Sequence, residues 1–232
     1  MSSAKHRVLF LGRKNCEYTQ KILGLLNGAE VTTHLSERRG EQLPDYVLKW
    51  SGDYIFAFRS LAILPMSIVE SASLGAVNFH PGPPEFPGSG CTNFALYEDA
   101  DTFGVTAHLM EEVVDSGRIL SVRRFPIAPE DNSISLLQKT HAELHTLAQK
   151  IIPDALLDDK LIQRLCREGN EEIHWSGTRR RISALHKLSN VQPSISAKEL
   201  EKRVRAFHYP AFPLTLTLHG RRFALVSDTS KE

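Results

Sequence analysis

Between residues 7 and 79 the chain alternates short apolar runs with stretches of helical spacing, and no other feature limits its fold as strongly. Arg7 to Leu11, Glu30 to His34, Tyr54 to Phe58 and Ala76 to Phe79 read as strands. Between them, Cys16 to Leu26 places Ile22, Leu23, Leu25 and Leu26 at mostly helical spacing, a second helix runs through Tyr46, Val47 and Trp50, and Pro65 opens a further turn before Ile68 and Val69. Parallel neighbours need crossover connections, so strands separated by helices predict an α/β fold with a mostly parallel sheet. In such sheets functional groups gather at the carboxyl ends of the strands.

The second half continues with an extended run from Arg118 to Ile127 and a long helix from about Ser133, capped by Asn132 or Ser133. Leu136, Leu137, Thr140, Leu144, Leu147 and Ile151 trace one face of that helix. Near Gly169 the texture changes, which predicts a main domain over residues 1–169 and a small module over 170–232. The module holds His174-Trp175-Ser176-Gly177, a basic run Arg179 to Arg181, and Ser196 to Glu199 as a capping box opening a helix that aligns Leu200, Val204 and Phe207. Tyr209-Pro210 ends that helix, and Leu214 to Leu218 with Phe223 to Val226 read as a hairpin around Gly220.

Charge narrows the functional classes. Lys and Arg number 28 against 27 Asp and Glu, so the whole-chain field gives no reason to expect nucleic acid or an anionic membrane as partner. Cys16, Cys91 and Cys166 are odd in number and widely spaced, which predicts neither a disulfide framework nor a metal site and fits a reducing, cytoplasmic setting. The apolar run near the N-terminus is too short for a signal peptide, and no later segment is long and apolar enough to span a membrane.

The chemistry concentrates at Asn78, His80 and Asp115. Two positions apart on a strand end, Asn78 and His80 point to one side, with Phe79 turned into the core. An amide N–H holds an oxyanion without titrating, and an imidazole moves protons near neutral pH. Asp115, in the turn Asp115-Ser116-Gly117, is the carboxylate expected to fix the histidine tautomer.

Taken together, Asn78-Phe79-His80-Pro81-Gly82 with the Pro-rich loop to Gly88, Gly104 to Met110, and Val114 to Leu120 resemble the formyltransferases that use N10-formyltetrahydrofolate. That resemblance implies a Rossmann-like formyltransferase fold with a small C-terminal helix and β-hairpin module, and it matches Asn78, His80 and Asp115 to the family's catalytic positions. It places Phe58, Arg59, Ser60, Leu61, Ile63 and Leu64, with Met110, Glu111, Glu112, Val113 and Val114, around the folate, which is the co-substrate, with no metal required. Acceptor contacts fall to Arg13, Lys14, Gly82, Pro83, Gly88, Gly90 and Asn93, with Arg179 to Arg181 as further cations.

Among family members the chain looks most similar to the small sugar-nucleotide N-formyltransferases. The acceptor implied is the amino group of a nucleotide-linked 4-amino-4,6-dideoxy sugar such as GDP-perosamine or its dTDP counterpart, in O-antigen or lipopolysaccharide biosynthesis by a homodimer. Methionyl-tRNA and glycinamide ribonucleotide are the alternative acceptors. Two other roles stand beside them. One is a nucleic-acid-binding module with Arg179 to Arg181, Lys187, Lys202, Arg203 and Arg205 as its basic face and Trp175 and Phe207 for stacking; the other is a folate sensor on the same fold.

Overall fold

The computed structural model describes residues 5–168, 173–209 and 211–226. Its main sheet contains β1 (Arg7–Arg13), β2 (Glu30–Ser36), β3 (Gly52–Phe58), β4 (Ala72–His80), β5 (Thr102–Leu109) and β6 (Ile119–Pro126), in the order β2-β1-β3-β4-β5-β6. The first four strands pair in parallel, joined by the crossover helices α1 (Glu17–Leu25), α2 (Asp45–Leu48) and α3 (Met66–Val69). Pro44 and Pro65 stand at the N-caps of α2 and α3, where a missing N–H costs nothing, and each helix lasts about one turn. β5 and β6 are added antiparallel, so the sheet is mixed, with the parallel half first.

Alternation along the strands builds a core on each face. Val8, Phe10, Tyr54, Phe56, Val77, Phe79, Val105 and Ala107 face α5 (Ser133–Leu157), while Leu9, Leu11, Ile55, Ala57 and Ala76 face Val47, Trp50, Ile68 and Val69. In α5, Leu136, Thr140, Leu144, Leu147 and Ile151 are buried as expected. Each large apolar side chain so buried contributes about 1.5–3 kcal/mol. Asn132 caps α5 by accepting from the Ile134 and Ser135 N–H groups, and the Ser135 hydroxyl accepts from the Asn132 N–H in return.

Several features depart from the sequence reading. After the Pro-rich loop the chain passes into a helix that the sequence reading does not include, α4 (Cys91–Tyr97), with Gly90 at φ 75° turning it in. The helices α6 (Leu161–Glu168) and α7 (Ile182–Ser189) and the short strand β7 (Asn190–Val191) are further elements. They precede α8 (Ala197–Phe207), β8 (Thr215–Leu218) and β9 (Arg221–Ala224). Ser196 does cap α8, but Glu199 pairs with Arg203 and Tyr97 instead of closing the box, and Leu200 is exposed. The hairpin forms as expected, through a His219-Gly220 turn with both φ angles positive.

The expected boundary at 169/170 lies outside the described residues. On its two sides the elements share a core: Phe94 and Tyr97 of α4 pack on Phe207 of α8 with ring centroids 6.0 and 5.3 Å apart, joined by Phe86, Phe103, Leu136, Val191 and Leu214. Phe207 is thus buried and unavailable for stacking on a nucleic acid. Four cations of the basic face are likewise occupied, while Arg179, Arg181 and Lys187 are exposed. Arg180 pairs with Glu98, Lys202 with Asp99, Arg203 with Glu199, and Arg205 donates to the Asp131 carbonyl. No described helix is long and apolar enough to cross a membrane.

Candidate active site

The antiparallel pairing of β4 with β5 builds the polar centre. It sets Asn78 opposite His108 and His80 opposite Thr106, so these four side chains share the face that Phe79, Val105 and Ala107 do not use. The Asn78 amide Nδ2 donates to His108 Nε2 at 3.0 Å, and His108 Nδ1 donates to the Leu109 carbonyl at 2.7 Å. A carbonyl only accepts, so the proton sits on Nδ1 and Nε2 is left to accept from the amide. The irregular register with β6 falls between Ala107 and His108.

Asp115 completes the array from the turn after β5. Its backbone is left-handed at φ 54°, and Gly117 is needed two residues on, since a Cβ there would lie 2.0 Å from the Leu109 oxygen. Oδ1 of Asp115 lies 3.1 Å from His80 Nδ1 and 3.6 Å from His108 Nε2, and Oδ2 accepts the Gly88 N–H at 3.0 Å. All three groups are buried. Burial acts to lower the His80 pKa, but its neighbours Cys91 and Asp115 and the hydrogen bonds to both raise it well above the ordinary imidazole value. For Asp115 burial acts upward, and the His80 charge and hydrogen bond hold the carboxyl well below the usual range. The two form a buried ion pair.

The other nitrogen of His80 is also engaged inside the protein. Nε2 lies 3.4 Å from the Phe86 carbonyl and 3.7 Å from Cys91 Sγ. Cys91, Trp175 and His108 were not singled out from the sequence as site residues. For His108 the signal was present in Gly104-Val105-Thr106-Ala107-His108, whose alternation puts Thr106 and His108 on the face of His80. Nothing local in the sequence marks Cys91 or Trp175, which arrive from α4 and from the segment after α6. Trp175 stands edge-on to both imidazoles, with centroids 5.6 Å from His80 and 5.0 Å from His108.

The residues expected around a folate divide into two groups. Phe58 is fully buried against Phe79, so it supports the site from behind. Arg59 turns at φ 54° and donates to Cys16 Sγ, while Ser60 and the Leu61 N–H engage Ser36. Leu64 and Met110 pack on the same core cluster. Around them Ile63, Val113 and Val114 present exposed apolar side chains, and Glu111 and Glu112 are exposed beside them. Such a pair of apolar-edged segments at the carboxyl ends of β3 and β5 fits a flat heterocycle.

The expected acceptor contacts separate more sharply. Lys14 pairs with Glu37, whereas Arg13 at the end of β1 is exposed and meets no carboxylate among the described residues. Together with Arg59, and after burial itself, Arg13 pushes the His141 pKa down to about 3. Gly82 and Pro83 are buried beneath the centre, and the Gly82 carbonyl accepts from Thr106. Gly88 holds Asp115, Gly90 caps α4, and Asn93 donates its amide to the Ala206 carbonyl at 2.6 Å, which fastens α4 to α8. Asn93 therefore serves the fold. Of the basic run, Arg179 and Arg181 are exposed, and Arg180 lies over the Phe86 and Phe94 rings. Among the described residues no group of three or more His, Cys, Asp or Glu is arranged to hold a metal ion.

Comparison with known proteins places this geometry. The formyl transferase family model matches residues 13–156. Methionyl-tRNA formyltransferases are similar in sequence: that of a Synechococcus strain is 25% identical over 224 residues, covering 95% of this chain and 66% of that protein. That of Listeria monocytogenes is 36% identical over 97 residues, covering 41% and 30%. The chain thus spans less than two thirds of the length of these relatives. In fold it is similar to a 4-N formyltransferase from Francisella tularensis (TM-score 0.73, 18% identity, 97% of this chain and 98% of that one). It is also similar to a likely sugar N-formyltransferase from Mycobacterium tuberculosis (0.72, 19%, 98% and 99%) and to an N-formyltransferase from Helicobacter canadensis in complex with folinic acid and dTDP-3-aminofucose (0.66, 15%, 92% and 84%). The chain belongs to the formyl transferase family.

Proposed function

We propose that this protein transfers a formyl group from N10-formyltetrahydrofolate to the amino group of a nucleotide-linked amino sugar, with a 4-amino-4,6-dideoxy sugar on GDP or dTDP as the acceptor class. The observation that carries the chemistry is the continuous array Asn78, His108, Asp115 and His80 at the carboxyl end of β4. The acceptor class rests on the likeness over nearly the whole chain to structures of sugar N-formyltransferases. Folate as donor is supported by the folinic acid bound to the Helicobacter protein and by the Ile63, Val113 and Val114 side chains exposed beside the centre.

The donor supplies a formyl carbon on a nitrogen that must leave as an amine. One Asn78 N–H is held by His108, and the other is free to meet the oxyanion that forms when an amine attacks. His80, kept charged by Asp115, places positive charge beside the same oxygen. Asp115 lies where a proton from the attacking nitrogen can be taken up, directly or through water, while His108 holds the Asn78 amide in place. We further read residues 170–232 as the part that carries acceptor contacts and dimerisation. A second reading, with methionyl-tRNA as acceptor, is favoured by the sequence relatives alone.

A panel decides between them. The protein is incubated with N10-formyltetrahydrofolate and GDP-, dTDP- or UDP-linked amino sugars, glycinamide ribonucleotide or methionyl-tRNA, and products are followed by mass. A formyl gain on an amino sugar supports the proposal, and a gain on methionyl-tRNA alone replaces it with the second reading.

A further inference from the structure

We propose that Trp175 is a positioning residue of the reactive centre: its indole, carried in by the segment after α6, walls the His80 and His108 rings off from water and fixes both orientations. The inference rests on the formyl-transfer reading above.

The placement is built from both sides. Trp175 Nε1 donates to the Gly117 carbonyl at 2.8 Å, so the indole is tied to the same turn that carries Asp115. The next residue, Ser176, donates its N–H to the Pro84 carbonyl at 2.9 Å and its hydroxyl to the Glu85 carbonyl at 3.1 Å. Arg180 donates its N–H to the Pro87 carbonyl, and its own carbonyl accepts from Ser89. The segment thus crosses the whole Pro-rich loop that follows His80, with the Arg180 guanidinium stacked over Phe86 and Phe94 at its far end. Between these two anchorages the indole meets both imidazoles edge-on. Behind it His80, His108 and Asp115 are 4%, 2% and 7% exposed.

Tryptophan suits this position because it combines a wide apolar surface with one N–H that must find a partner. The need is chemical. Water is a weaker nucleophile than an amine but is present at solvent concentration; its attack on an activated formyl carbon breaks the bond to N10, forms a bond to oxygen, and leaves formate and tetrahydrofolate. A centre dry on one side and open only where the acceptor enters favours the amine.

Three variants and one spectrum test this. Trp175→Ala is expected to raise the formate released per formyl amide formed by roughly tenfold and to lower kcat, with the donor KM changed less than about twofold. Trp175→Phe keeps a ring but loses the N–H, and should restore most of the coupling; Ser176→Ala removes one anchor and should fall between wild type and Trp175→Ala. The emission difference between wild type and Trp175→Phe isolates Trp175 from Trp50. A protonated imidazole quenches a neighbouring indole, so this difference should rise with pH as His80 loses its proton, with His108, Asp115 and Cys91 the other titratable groups around it. Unchanged formate release in Trp175→Ala together with a pH-independent difference spectrum would reduce Trp175 to a packing anchor. The spectrum needs no substrate, so it judges the contact even if the wild-type protein formylates no acceptor, which would fault the functional reading instead.

Discussion

Asp115 grips His80 with one oxygen and the Pro-rich loop with the other: Oδ1 lies 3.1 Å from His80 Nδ1, and Oδ2 takes the Gly88 N–H at 3.0 Å. The carboxylate therefore sets the imidazole and the loop that follows it in one step.

This pair makes stability depend on pH from both directions. The folded His80 pKa lies above its ordinary 6.5, so its contribution is full below that value and is lost as pH rises through the folded pKa. The Asp115 pKa lies below its ordinary 3.8, so its contribution is present above 3.8 and is lost as pH falls. Asp115→Asn should cost about 3 kcal/mol in urea denaturation between those two values. That cost should shrink steadily at more alkaline pH, and a pH-independent cost would show that the two groups are not an ion pair.

Asn78→Ala removes the N–H proposed to meet the oxyanion and the donor to His108 Nε2. Turnover should fall about 100- to 1000-fold with the fold intact by circular dichroism. His108→Ala should fall in the same direction, since it leaves the Asn78 amide without its acceptor.

Gly88→Ala tests the loop. A Cβ there would sit 2.3 Å from the Arg180 oxygen at a backbone φ of 94°. The expected loss is about 1–3 kcal/mol in thermal denaturation, together with lower activity because Asp115 loses its N–H donor.

Exposed Ile63, Val113 and Val114 are expected to meet the donor. Val114→Asp should raise the donor KM roughly tenfold while kcat changes little, as expected for loss of ground-state binding. Steady-state kinetics with the donor varied would show it, and an unchanged KM would remove this loop from the folate site.

Much of this arrangement was legible in the sequence, and the reason lies in its local character. Asn78 and His80 are fixed to one face by strand geometry, and Asp115 is marked by its turn. The parallel half of the sheet announces itself by β-rich runs between helical spacings, and the long α5 by its stripe and cap. What stayed hidden depends on distant pairing. Trp175 reaches His80 only because Ser176 and Arg180 bond the Pro-rich loop, Phe207 is buried only because α8 packs on α4, and Asn93 looks like a ligand group until the Ala206 carbonyl is found against it.

The most direct test is the turnover of His80→Ala on whichever acceptor the wild-type protein formylates, measured beside its thermal unfolding. A folded variant with turnover lowered by about 100-fold or more agrees with the array as the formyl-transfer centre. A well-folded His80→Ala protein with near wild-type turnover would contradict it.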